Sequence, residues 1–252
     1  MEELCTITQE TVEDILTQAN KHQKVVVLND YDLSNIDFSN MKLERVRFIS
    51  NNLNGVSFDN AILKECYFMG NQMYETTFNS SELNNSFFKG CKLESVSFSH
   101  ANIYGSDFKV ELVNTNFGSA TIDVTCFKRS TIRNSSFSNA MIKASDFSQT
   151  DISHTSFRNT KLSGDSCFEL TKFGEGIIGL EVYSASKNGY PTNYLPSIDI
   201  VYHSIGYAPE AYTGNLSDFG GFVEDMAEGS MKEESKAVYQ YFKVVESSFN
   251  SQ

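Results

Sequence analysis

Phenylalanine stands at every tenth residue from Phe38 to Phe108, and midway between stand Leu33, Leu43, Leu53, Leu63, Met73, Leu83, Leu93 and Ile103. An apolar residue every five positions is not one face of an α-helix, which repeats at 3.6, nor of a plain strand, which repeats at 2. A chain with this pattern must turn a corner every five residues. A square solenoid, with four five-residue sides per coil, points all of these residues at one common axis.

The period survives two slips. From Phe108 to Leu112 the step is four, after which the series runs Phe117, Ile122, Phe127, Ile132, Phe137, Ile142, Phe147, Ile152, Phe157 and Leu162; a six-residue step to Phe168, then Phe173, restores the first phase. Such slips are expected to be local corner adjustments. Two places before each centre the residue is mostly small, as in Ala61, Cys66, Thr76, Ser81, Ser86, Cys91, Ala101, Ser106, Thr115, Ala120, Thr125, Ser130, Ser135 and Ala140. This marks a second inward position with no room for bulk. A period of this kind decides the fold before any local propensity is considered.

Segments such as Ala101-Asn102-Ile103-Tyr104-Gly105, Ser145-Asp146-Phe147-Ser148-Gln149 and Thr150-Asp151-Ile152-Ser153-His154 resemble the unit of the pentapeptide-repeat family: a small residue, Asp or Asn, Leu or Phe, then two polar residues. The resemblance covers roughly residues 29 to 175. It implies a right-handed quadrilateral β-helix, an all-β solenoid, and says little of function, since one scaffold serves many partners.

Stacking twenty residues to a coil sorts the centres into four columns. Phe38, Phe58, Phe78, Phe98, Phe117, Phe137 and Phe157 form one, and Phe48, Phe68, Phe88, Phe108, Phe127, Phe147 and Phe168 the opposite one. Leu, Met and Ile fill the other two. At about 1.5 to 3 kcal/mol per buried side chain this core requires neither cofactor nor disulfide, and none is expected. With about 4.8 Å between stacked strands, about seven coils make a rod about 35 Å long.

The expected organisation is an N-terminal helix and first strand over residues 1–28, the repeat solenoid over 29–175, and a small α+β region over 176–252. Residues 8–22 read as a capping helix: Thr8 is placed to cap, and Val12, Ile15, Leu16 and Ala19 share an apolar face. Val25-Val26-Val27-Leu28 reads as the first strand. A cap is needed because an open terminal coil exposes strand edges. All three prolines and eight of the twelve tyrosines lie from Gly174 onward. There a strand is expected over 198–202, and Ser230-Met231-Lys232-Glu233 reads as a capping box before a helix with Val238, Tyr241, Phe242, Val245 and Phe249 on one face.

The net charge of −12 is mostly terminal, for residues 31–175 carry 16 Asp plus Glu against 14 Lys plus Arg. The resemblance brings with it a known activity, in which a pentapeptide rod mimics duplex DNA and occupies gyrase or another topoisomerase. Such a mimic must set carboxylates where phosphates lie, about one charge per 1.7 Å of axis, and a nearly neutral rod imitates this poorly. Candidate carboxylates are Asp37, Asp59, Glu75, Glu94, Asp107 and Asp146. Basic clusters at Lys42, Arg45 and Arg47 and at Lys128, Arg129 and Arg133 lie among acidic residues in an acidic chain, which argues against direct nucleic-acid binding.

Catalysis has little support. Asp199, His203 and Ser204 are too close in sequence to converge as a triad. Gly174, Gly176 and Gly179 are a weak nucleotide fingerprint, and the five cysteines have no metal spacing. Some bacterial effectors join such a rod to a cysteine-dependent ubiquitin ligase, but no cysteine follows Cys167. The N-terminus lacks an apolar run, so a cytoplasmic protein is expected, without membrane contact, secretion without a cleaved signal staying open. The reading is a non-enzymatic protein-binding scaffold. The rod is its spacer, and one rod face with the tyrosine-rich C-terminal region supplies specificity or a homodimer contact, with Tyr202, Tyr207, Tyr212, Tyr241, Phe242 and Val245 as interface candidates. A topoisomerase-binding DNA mimic and a secreted effector acting on a host protein are the alternatives.

Overall fold

The computed structural model describes residues 4–22, 24–162, 166–168, 171–172, 177, 179–180, 183–187, 190–196, 200–203, 212–226 and 230–250. The repeats wind into a parallel β-solenoid of about seven coils. Each side is named here by its first inward residue: Leu33, Phe38, Leu43 and Phe48. The Leu43 side is the most regular, a seven-stranded parallel sheet from Lys42–Glu44 to Lys161–Leu162. Register follows the sequence period, with Leu63 opposite Leu83 and Ile103 opposite Ile122.

The two Phe columns meet across the axis. Within a column successive rings lie parallel, Phe78 on Phe98 at 4.8 Å and Phe98 on Phe117 at 4.9 Å. Between columns they meet edge to face, as Phe98 does with Phe108 at 5.3 Å and 89°. Both arrangements suit the ring quadrupole, the parallel one when offset. All fourteen of these Phe residues are buried.

The small inward position proves to have a polar duty as well as a steric one. Thr76, Thr150, Thr155 and Thr160 donate their hydroxyls to Leu53, Phe127, Ile132 and Phe137 carbonyls one coil back, at 2.7–3.0 Å. In return the backbone N–H of Thr115 and of Ser86 donates to the Ser135 and Ser106 hydroxyls one coil on. Corner peptides that the strands leave unpaired are thereby satisfied inside the core. Asn51 and Asn71 perform the same task with amides: Asn51 Nδ2 donates to Leu28 O, Asn71 Nδ2 to Phe48 O, and Asn51 N to Asn71 Oδ1, all at 2.9 Å.

The first slip is absorbed at a corner. An ordinary corner on a Phe side closes with the N–H three residues after the centre, as Ala61 N to Phe58 O at 3.1 Å; at the first slip the bond shortens by one residue, Val110 N to Phe108 O at 2.7 Å. Register resumes at once, Leu93 opposite Leu112. Beyond the second slip Phe168 stacks on Phe147 at 5.0 Å. Residues 163–165 and Phe173 lie outside the described residues.

Helix α1 (Gln9–Lys21) starts where expected, with the Thr8 hydroxyl accepting from Thr11 N at 3.3 Å. Val12 and Leu16 are buried and join the solenoid core, with Ile15 and Ala19 packed against it. The first strand spans Val26–Asn29. Two further contacts close the first coil. Cys5–Thr6 pairs in parallel with Tyr31–Asp32. The Gln9 carboxamide donates to Asp37 O and accepts from Asp37 N, each at 2.9 Å.

After the last coil four antiparallel strands (Tyr183–Lys187, Tyr190–Leu195, Ile200–His203, Tyr212–Gly214) precede helices α2 (Leu216–Asp225) and α3 (Ser230–Phe249). Leu195 joins the solenoid core, while its neighbour Tyr194 joins a separate cluster with Phe219, Val223, Phe242 and Val245. Adjacent strand residues point to opposite faces, so this sheet has the solenoid core on one face and the helices on the other. Gly179, at φ +76°, passes so close to the last Phe38-side strand that a Cβ would sit 2.4 Å from Arg158 Cα. Only glycine fits there. Of the expected strand over 198–202, residues 200–202 lie in the strand Ile200–His203, and residues 198 and 199 fall outside the described residues.

Candidate functional site

The interface candidates of the C-terminal region are dispersed. Phe242 and Val245 are buried in the cluster of their own chain, so the α3 face that carries them is already covered. Tyr212 is partly buried there, its hydroxyl donating to Asn215 O at 2.8 Å. Tyr241, expected on the same face, is 46% exposed. Its place is taken by Tyr239, which meets Phe219 edge-on and overlies Gly220, where a Cβ would fall 2.6 Å from the ring. Glycine on α2 admits a tyrosine from α3, a pairing the helical period of α3 alone does not reveal. The backbone of Tyr202 lies in a strand, and Tyr207 falls outside the described residues, as do Asp199 and Ser204.

The rod offers a more coherent surface, on its Phe48 side. Strand alternation points the residues before and after each inward Phe outward. The register makes two ranks of them: Val27, Arg47, Tyr67, Phe87 and Asp107 in one, Ile49, Met69 and Lys89 in the other. Tyr67 lies flat on Phe87 at 4.9 Å and 13°, and the Arg47 guanidinium sits 5.7 Å from the Tyr67 ring centre, within cation–π range. Tyr67 and Met69 remain 39% and 43% exposed. Between the ranks runs a groove of about 510 Å³, floored by the backbone at Phe68 and Phe88 and ending at Asp107 and Lys109.

This face differs from the Phe38 side opposite it. On the Phe38 side the corresponding outward residues are Asp37, Ser57, Thr77, Ser97, Asn116, Ser136 and Ser156 in one rank. These hydroxyls and amides bond mostly to each other and to local backbone, as Ser97 Oγ does to Asn79 Oδ1 at 2.6 Å. A surface of satisfied short polar groups gives a partner little to grip.

The candidate carboxylates do not form one array. Asp37 and Asp59 flank the Phe38 side, Glu94 the Leu33 side with Glu75 at its corner, and Asp107 and Asp146 the Phe48 side. Asp107 is further neutralised by Lys109 at 2.8 Å, whose ammonium it holds above its ordinary pKa. Elsewhere charges pair between coils: Lys64 with Glu44 at 3.0 Å, and Asp151 with both Arg133 (2.8 Å) and Lys172 (3.1 Å). Partial burial acts to raise the Asp151 pKa, but hydrogen bonds from Ser153, Arg133 and Lys172 outweigh it and hold the group well below the usual carboxylate range. Of the basic clusters, Arg45 lies beside Glu44, Arg47 on the Tyr67 ring, and Arg129 on the Gln149 carboxamide.

Cys66 and Cys91 occupy the small inward position and donate to Leu43 O and Phe68 O. Burial pushes the Cys66 thiol up to about 12 and raises that of Cys91, which keeps both as unreactive thiols. Among the described residues no group of three His, Cys, Asp or Glu side chains is placed to hold a metal ion. No described helix is long and apolar enough to cross a membrane.

The family described as pentapeptide repeats matches in 8 copies over residues 32–70, 72–109 and 125–164, the same stretch that winds into the solenoid. The rod is a pentapeptide-repeat β-solenoid. Among solved structures the chain is similar to full-length QnrB1, a plasmid-mediated fluoroquinolone resistance protein, at 16% identity over 61% of this chain and 91% of that one, with a TM-score of 0.39. A pentapeptide repeat protein of the Arabidopsis thaliana thylakoid lumen matches at 25% identity over 41% of this chain and 69% of that one (TM-score 0.29). HetL, involved in heterocyst differentiation regulation in the cyanobacterium Nostoc sp. strain PCC 7120, matches at 11% identity over 68% and 92% (TM-score 0.24). Likeness at these TM-scores assigns no partner and no role. No curated protein sequence matches the chain.

Proposed function

We propose that the chain is a non-enzymatic protein-binding scaffold, in which the solenoid is a rigid spacer and its Phe48 side is the surface that meets a partner. The observation that carries this reading is the outward Tyr67–Phe87 stack with Met69 beside it. Large apolar side chains left half-exposed in one contiguous row, on a rod whose opposite side is Ser, Thr and Asn, mark an interaction surface. Tyrosine adds contact area and a hydroxyl at low entropic cost. The C-terminal region, with its own apolar cluster filled, serves as the cap of the rod and offers Tyr241 and Val244 as its exposed contacts.

Against duplex mimicry stand the dispersal of the candidate carboxylates over three sides and the Lys109 partner of Asp107. Little effect on gyrase supercoiling is therefore expected, and potent inhibition at near-stoichiometric protein would restore the mimic reading. The scaffold reading is tested by a photo-crosslinking residue placed at Met69, with one at Thr77 on the polar side as control. Expression in the producing cell should give protein adducts at Met69 and none at Thr77. Equal labelling at the two positions, or none at Met69, would end it.

A further inference from the structure

The Phe48 side carries a second pattern below its aromatic stack. The rank of Ile49, Met69 and Lys89 is followed on the next two coils by Lys109 and Lys128, each, like Lys89, standing just after a stacked Phe, so three lysines occupy successive coils whose strands are about 4.8 Å apart. Among the described residues no ion pair involves Lys89 or Lys128, and Lys109 holds Asp107 alone. With Arg47 above the stack, this side has, among the described residues, four basic residues against Asp107 and Asp146, in a chain whose net charge is −12. We propose that its occupant is a protein segment with an apolar centre and carboxylates beside it. The segment lies extended along the rod axis, its apolar side chains on Tyr67, Phe87 and Met69 and its acids on Lys89, Lys109 and Lys128. This rests on the scaffold reading and names the chemistry of the partner.

Shape supports an extended chain. The groove walls are residues two apart along each strand, about 6.6 Å between their Cα positions, too narrow to seat a helix about 10 Å across. An anionic bilayer is the rival for an apolar and basic surface. It is disfavoured because Tyr67 and Phe87 lie flat on each other instead of projecting as wedges.

The test uses the intact chain and two fluorescent ten-residue peptides with the same Leu/Phe centre, one flanked by Glu and the other by Lys. Anisotropy should show the Glu-flanked peptide binding about tenfold more tightly or better, and Lys89→Glu with Lys109→Glu should reverse the order. Lys89→Gln with Lys109→Gln, neutral and outward, should erase the preference while leaving the melting temperature unchanged, which separates lost recognition from lost fold. Equal affinity for both peptides, no binding of the Glu-flanked one at millimolar concentration, or a preference that persists in the Gln variant would overturn the proposal. So would lysine-dependent sedimentation with phosphatidylserine vesicles but no peptide binding. A partner crosslinked at Met69 through a basic or neutral segment would refute this inference and leave the scaffold standing.

Discussion

The solenoid and the C-terminal region bury aromatic rings equally well but arrive at them by opposite routes. Phe98 touches Phe78, Phe88, Phe108 and Phe117, all within twenty residues in sequence and all placed by the one repeat. Phe242 packs with Tyr194 at 5.4 Å and shares its cluster with Val201 and Phe219, on a strand pair and a helix that follow no common period. A core built by repetition is written into the sequence as spacing. One built by convergence of unlike elements is not.

The largest test of this contrast is truncation in each core. Phe98→Ala should cost about 3 to 5 kcal/mol, because its stacked neighbours are held by their own strands and do not collapse into the hole. Asn102→Ala, an outward change on the next side, should cost under about 0.5 kcal/mol. Equal melting temperatures for the two would break the inward assignment of the Phe columns. Phe242→Ala should carry a similar local cost, yet its loss of amide protection in hydrogen exchange should be confined to residues 183–250. Loss of protection at Ile103 or Ile122 as well would mean that the two regions unfold as one.

Asp151 gives a smaller and pH-dependent effect. Its folded-state pKa is depressed, so its contribution is present above the unfolded value of about 3.9 and lost as pH falls through the folded one. Asp151→Asn should cost about 1.5 to 3 kcal/mol at pH 7, and the gap from the natural protein should close under strongly acidic conditions. A gap unchanged between pH 7 and pH 2 would remove the charge from the explanation.

The smallest expected change is a gain. Val124 is a β-branched residue at φ +51°, in a column whose preceding members are Asn85 and Gly105. That conformation is costly for such a side chain, so Val124→Asn should raise stability by about 0.5 to 1 kcal/mol. A lower melting temperature would show that the Val124 side chain, though 51% exposed, supports packing.

Much of the rod was legible for the reason this contrast supplies. The four columns, the small inward position, the first slip and the α1 cap all follow from spacing that a reader counts directly. The polar role of the small position was not, because Ser, Thr, Asn and Cys there satisfy both a size limit and a hydrogen-bond need, and the sequence alone shows only the first. The Phe48-side surface is not legible either: Tyr67 and Phe87 lie twenty residues apart, at positions where any outward residue is allowed, and only the register brings them together. In the C-terminal region Tyr241 was placed on the buried face because the α3 pattern favours it nearly as well as Tyr239. The vacancy at Gly220, on another helix, decides between them.

The Gln9 carboxamide has a consequence for assembly. By donating to Asp37 O and accepting from Asp37 N, it presents to the first coil the same pair of groups that a preceding coil would offer. The side chain thus counterfeits one peptide unit and uses up the bonds on which another molecule would have to grow at that point. A stack that adds rungs at no cost in register is a filament unless something tells it where to begin, and here a single amide helps to give the rod a first rung.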